Sequence, residues 1–313
     1  MQAFLSRALR TVAGATLGAG LAAGALVQPV LAQTAPAAAQ PRAADAQGPA
    51  LWVVRDADSA VYLFGTFHAL RPTTQWRTPA VERALAESRQ LWLEIEEPDN
   101  PAALQPLIAQ LGLSPNTPLS SRLNEAERAK LAEAARALGM PAQAMEPMRP
   151  WLAALTLSVA PLIQAGYDPT KGVDTLLRQA AQSRGVAVRS FETPEQQFRF
   201  LSDMPEGEQL DFLRQALEEY AEGPAQIDAA AAAWSTGDME TLERDLVNEM
   251  RESSPVLYRR ILAQRNADWA PQIRRLLDGS ETVFVAVGAA HLAGPDSVQA
   301  HLERAGLRVE RVR

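Results

Sequence analysis

Val61-Tyr-Leu-Phe-Gly-Thr-Phe-His68 and Val283-Phe-Val-Ala-Val-Gly-Ala-Ala-His291 are two copies of one pattern, one near each end of the chain. Each is an apolar run, then Gly, two residues and His, with a Leu close by and a Pro four residues past the His, Pro72 and Pro295. The apolar runs read as strands. The second is apolar on both faces, as a central strand is. Gly after a strand permits a tight turn or a close backbone approach. A His three residues later stands just beyond the strand's C-terminal end, where open α/β sheets place their ligands. The expectation is that one sheet holds both strands and brings both imidazoles to one site.

Working outward, Leu51 to Val54 and a turn at 56–59 make a hairpin with the first copy. Thr78 to Ser88 has helical spacing. Gln90 to Glu96 reads as a strand with Leu91, Leu93 and Ile95 on one face and Trp92, Glu94 and Glu96 on the other. Val186 to Phe191 is a further strand. Glu192 follows it, just before the helix start Thr193-Pro-Glu-Gln196. Leu307 to Val312 alternates as an edge strand does. The stretch between is mostly helical. Within it, Trp151 to Ala165 is too short to span a bilayer and reads as a buried helix. The fold class is α/β (α+β): a central mixed sheet completed by N- and C-terminal strands, with a large helical middle.

Met1 to Ala32 carries Arg7 and Arg10, then a short apolar run closing on Val30-Leu-Ala32, the pattern of a cleaved signal peptide. Residues 33–49 are rich in Ala, Pro and Gln and read as a tether that cannot form a core. The expected folded domain is 50–313, and the expected location is periplasmic or secreted. The chain has no Cys, which excludes disulfides, thiolate metal sites and Cys nucleophiles. Net charge is −7, and loss of the two leader arginines would make it −9, without a basic cluster. That balance argues against nucleic acid or an anionic membrane as partner. The folded part has no P-loop, no dinucleotide fingerprint, no His-Glu-x-x-His helix and no Gly-x-Ser-x-Gly elbow.

Strand ends thus supply His68, Glu94 or Glu96, Glu192 and His291. Two imidazoles with one or two carboxylates suit a hard or borderline divalent ion, which activates water and polarises a carbonyl. Glu192 or Glu96 would be a further ligand or the base that takes the water's proton. Glu192 reads equally as a helix-terminus partner and Glu96 as solvent-facing. His301 reads as a surface residue, Asp174 as a helix cap, and Arg265-Asn266 as partners of a buried carboxylate.

At these positions the sequence resembles the TraB/PrgY/GumN family, which includes the animal Tiki proteins, and is most similar to its exported GumN-like branch. The resemblance is carried by Tyr62 to His68, Leu91-Trp-Leu-Glu94-Ile, Gly172-Val-Asp174, Phe191-Glu192-Thr, Glu195-Gln-Gln197, Arg265-Asn266 with Trp269, and Val285 to Leu292 with Gly294. It implies a metal-dependent protease-like fold whose centre is the two Gly-x-x-His motifs and Glu94. The expected metal set is His68, Glu94 and His291, with manganese, cobalt or zinc as the ion and a peptide or small molecule as substrate. Erythromycin-esterase and haem-binding ChaN-like proteins, viewed as distant relatives, keep two other readings open. One is a metal-independent His/Glu hydrolase. The other is a non-catalytic binder of haem, metal or an envelope polymer.

Overall fold

The computed structural model describes residues 48–95, 101–220 and 225–312. The expected leader, the tether as far as residue 47, and Glu96 lie outside the described residues. Six strands form one mixed sheet: β1 (Leu51–Arg55), β2 (Ala60–Thr66), β3 (Gln90–Leu93), β4 (Ala187–Ser190), β5 (Thr282–Gly288) and β6 (Val309–Arg311). Their order is β4-β3-β5-β2-β1-β6. The four strands from β4 to β2 run parallel; β1 pairs antiparallel with β2, and β6 antiparallel with β1. Both ends of the chain therefore complete one sheet, with β6 at an edge.

The double-sided apolarity of β5 is satisfied by a helical layer on each face. Val283, Val285 and Val287 pack with Trp269, Ile273 and Leu302. Phe284 and Ala286 face the other way, into the large core that includes Phe64, Leu91 and the helical middle. Neighbouring β2 divides in the same way, with Val61 and Leu63 on one side and Tyr62 and Phe64 on the other. Each such side chain, fully buried, contributes about 1.5–3 kcal/mol, so the strands that carry the two motifs are the best anchored in the sheet. The apolar segment at 151–165 is the buried helix Pro150–Gln164. Among the described residues no helix is long and apolar enough to cross a membrane.

Two boundaries differ from the sequence reading. β2 and β5 run on through Gly65 and Gly288, so these glycines lie within the ladder and not in a turn. The reason at Gly65 is close approach: a Cβ there would lie 3.0 Å from the Ala289 Cα, where the second motif crosses the first. β3 stops at Leu93, three residues short of the expected end. Its pairing with β5 covers only Gln90 to Trp92, and Glu94 leaves the ladder to place its carboxylate on the Gly288 N–H at 2.7 Å.

Three helices carry the rest of the site: α1 (Val173–Ser183), α2 (Pro194–Ser202) and α3 (Gln264–Leu276). Gly172 precedes α1 and is packed so tightly that a Cβ would run into the His68 carbonyl. The Val173 N–H donates to the Phe67 carbonyl at 2.8 Å, which ties the start of α1 to the first motif.

Candidate functional site

β2 and β5 are adjacent, and Thr66 stands opposite Gly288, so the two Gly-x-x-His motifs leave the same end of neighbouring strands. β3 lies on the other side of β5 and delivers Glu94 just past its end. Beyond β4, the Glu192 N–H donates to the Glu94 carbonyl at 3.0 Å. The C-terminal ends of four parallel strands thus bring His68, Glu94, His291 and Glu192 together.

The two imidazoles are oriented from behind. His68 Nδ1 lies 2.6 Å from Asp174 Oδ2 in α1, and the other Asp174 oxygen accepts from Thr66 Oγ1 at 2.8 Å. His291 Nδ1 lies 2.6 Å from Asn266 Oδ1 in α3. Both Nε2 atoms then face one carboxylate oxygen: Glu94 Oε1 is 4.0 Å from His68 Nε2 and 3.7 Å from His291 Nε2. His68 Nε2 is buried and has no hydrogen-bond partner among the described residues. The His68 side chain is 15% exposed and that of His291 only 2%, so the centre is more open to solvent on the His68 side.

Arg265 of α3, fully buried, joins this centre to Glu192. Its Nη2 donates to Glu94 Oε2 at 2.5 Å and to Glu192 Oε2 at 2.8 Å, and its Nε to Glu192 Oε1 at 2.9 Å. Trp269 Nε1 also donates to Glu192 Oε1, at 2.9 Å. Gln197 Nε2 of α2 bridges Glu94 Oε2 at 3.2 Å and Glu192 Oε2 at 3.1 Å. Each Glu192 oxygen therefore accepts two hydrogen bonds, and the residue serves as the counter-ion of Arg265. That arrangement leaves no lone pair aimed at the two imidazoles for the base or ligand role expected of Glu192.

The charges follow from these contacts. Burial alone would raise the Glu94 carboxyl, but Arg265, the two imidazoles and the Gly288 N–H bring it down to about 2. Burial, aided by Arg265 and opposed by Glu94, holds His291 down to about 3, so it is neutral. Burial also pushes His68 down, yet the charge and hydrogen bond of Asp174, with Glu94, outweigh it and raise its pKa. Arg265 stays charged, because Glu192 and Glu94 outweigh its burial.

Asp174, read from sequence as a cap, is the orienting partner of His68; the residue that caps α1 is Gly172. Arg265 pairs with buried carboxylates as expected, with two of them and not one. Gln197 was assigned no role by its position in the sequence. His301 lies partly buried on the helix Val298–Arg304, away from these contacts.

The donor types and their orientation fit a divalent ion. Imidazoles whose second nitrogen is tied to a carboxylate or carbonyl oxygen are the usual form of His ligands. Of three buried carboxylates, Glu94 and Glu192 pair with the Arg265 guanidinium and Asp174 with His68; counted with both imidazoles neutral, the four charged groups sum to −2. Burying uncompensated charge is costly. The spacing is wider than an ion needs. Donors on a tetrahedral ion sit roughly 3.3 Å apart, and among the described residues no group of three or more His, Cys, Asp and Glu side chains could hold one as it stands.

A curated relative from Treponema pallidum (strain Nichols), an uncharacterized protein, is 23% identical over 262 residues, which cover 79% of this chain and 78% of its own. No solved structure matches the chain. The match to the TraB/PrgY/gumN family runs over residues 50–311, which takes in the whole sheet and every residue of the site, and the chain belongs to that family.

Proposed function

We propose that this chain is a metal-dependent hydrolase, with a peptide as its substrate class and His68, Glu94 and His291 as the residues that hold a divalent ion. The observation that carries the reading is the convergence of two outer-tied imidazoles on one buried carboxylate oxygen, Glu94 Oε1. When bound, such an ion lowers the pKa of a water molecule and polarises a carbonyl. The chain's own residues supply the rest. Asp174 keeps a proton on His68 Nδ1 and so turns the Nε2 lone pair inward. Asn266 does the same for His291. The Gly288 N–H and Gln197 fix the rotamer of Glu94. Trp269, with its ring centroid 4.5 Å from that of His291, closes the inner wall.

The test is cleavage of a peptide library by purified protein loaded with manganese, cobalt or zinc. Hydrolysis that is lost on chelation, restored by the ion, and absent in His68→Ala and His291→Ala is the expected result. Variants that cleave as well as the wild type would sink the proposal.

A second reading has its own observation. Arg265 Nη1 sits 3.2 Å from His291 Nε2, while His68 Nε2 has no hydrogen-bond partner among the described residues. On that reading Asp174 and His68 form a base pair that deprotonates water directly, for an ester or lactone substrate. Turnover that survives exhaustive chelation and dies in His68→Ala favours it over the first.

A further inference from the structure

We infer that Arg265 is a built-in stand-in for the cation of this centre, a positioning residue that occupies the ion's ligands and sets how tightly the ion binds. The inference rests on the divalent-ion reading. It follows from a chain of hydrogen bonds whose directions are fixed. Asn266 Nδ2 donates to the Asp296 carbonyl at 2.7 Å, so Asn266 Oδ1 is the atom that accepts from His291 Nδ1 at 2.6 Å. The proton of neutral His291 is then on Nδ1, and Nε2 carries the lone pair. Arg265 Nη1 donates to that lone pair at 3.2 Å.

One guanidinium therefore engages two of the three proposed ligands at once, His291 through Nη1 and Glu94 through Nη2. The third ligand, His68 Nε2, has no hydrogen-bond partner among the described residues. Arginine cannot lose its proton in a protein. An ion drawn to His291 and Glu94 must displace Nη1 and then sit beside a fixed positive charge, and at short range in a buried site that repulsion is large. With that contact in place, His291 Nε2 and His68 Nε2 stand 3.7 and 4.0 Å from Glu94 Oε1, wider than an ion would draw them.

Arg265 also has somewhere to stay after release. Glu192 holds it through Nε at 2.9 Å and Nη2 at 2.8 Å, and Nη1 keeps the Ile261 carbonyl at 3.1 Å. Its plane lies against Trp269, 4.7 Å away, and Phe200, 5.3 Å away. Giving up His291 thus costs one hydrogen bond and leaves the rest of the anchor intact. In the ion-free protein Arg265 offsets part of the buried negative charge; in the loaded protein it limits affinity, which keeps the ion exchangeable.

The experiment is calorimetric titration of the full chain with Mn²⁺ alone, in the wild type, Arg265→Gln and Arg265→Lys, with thermal melts of each with and without the ion. Arg265→Gln removes the competing charge. Arg265→Lys keeps the charge for Glu192 on a side chain without the fork that spans to His291, and so carries the test if the Gln variant does not fold without ion. The expected result is Mn²⁺ affinity raised about tenfold or more in Arg265→Gln, a smaller gain in Arg265→Lys, and a larger Mn²⁺-induced rise in Tm for both than for the wild type. A purely structural Arg265 would give the opposite, weaker binding in a disordered centre. Binding by the wild type with equal or lower affinity in both variants overturns the inference and leaves the divalent-ion reading standing. Absence of Mn²⁺ binding in all three proteins sinks that reading, and the inference with it.

Discussion

At His68 one carboxylate decides what the imidazole can do. Asp174 Oδ2, 2.6 Å from Nδ1, sets the tautomer and leaves Nε2 directed inward. Asp174→Asn keeps the volume and removes the charge. The expected effect is a 10–100-fold loss in kcat/KM or ion affinity, with Tm changed by only a few degrees; a drop in activity that merely tracks loss of folded protein would count against the assignment. His68 and His291 could be singled out in the sequence because a rare residue type recurred in one pattern at strand ends, whereas strand position left Glu94 level with Glu96 and only the family resemblance favoured Glu94. Asp174 could not. An acid in the first turn of a helix has a sufficient local explanation, and its partner lies more than a hundred residues away. At Glu192 the place after a strand allowed either chemistry or a helix-terminus partner, and the sequence could not show that Arg265 and Trp269, far along the chain, donate to its oxygens.

Among the elements, the contact between the start of α1 and the first motif is the most exacting. Gly172 has no room for a Cβ beside the His68 carbonyl, whereas a Cβ at Gly207 would meet nothing within 4 Å. Gly172→Ala is expected to lower stability by about 1–3 kcal/mol and to reduce activity with it. Gly207→Ala, in the helix Glu206–Tyr220, is expected to be neutral or stabilising by about 0.5–1 kcal/mol. Urea midpoints of the two variants make the comparison; equal shifts would contradict the packing argument. The strands themselves were legible, since alternation and double-sided apolarity report burial directly. The adjacency of β2 and β5 was legible only through their repeated motif. The end of β3 was not, because the alternation of Glu94, Ile95 and Glu96 continues past the point where pairing with β5 stops.

For the whole molecule, buried groups of the centre give the ion-free protein a pH profile with a maximum. His291 is held at about 3 against an ordinary 6.5, by burial above all, so the unfolded chain binds the extra proton and stability falls as pH drops below about 6.5. Partly buried His301, also lowered by burial, acts the same way. Glu94, at about 2 against 4.5, adds a further loss as pH falls from 4.5 toward 2. His68 is raised above 6.5, so its contribution is full below that value and is lost as pH rises through its folded pKa. Stability of the ion-free chain is therefore expected to peak near pH 6.5, with a limiting slope of about 1.4 kcal/mol per pH unit for each group. Urea unfolding at pH 5, 6.5 and 8 checks this, and a steady rise from pH 6.5 to 8 would contradict it. The central claim is that His68, Glu94 and His291 form one ion-binding centre, and anomalous diffraction from crystals soaked in Mn²⁺ tests it most directly. The expected result is a single peak bonded by His68 Nε2, His291 Nε2 and Glu94 Oε1, with Arg265 Nη1 withdrawn from His291. The contradicting result is no peak among these three side chains, with the Arg265–His291 contact unchanged.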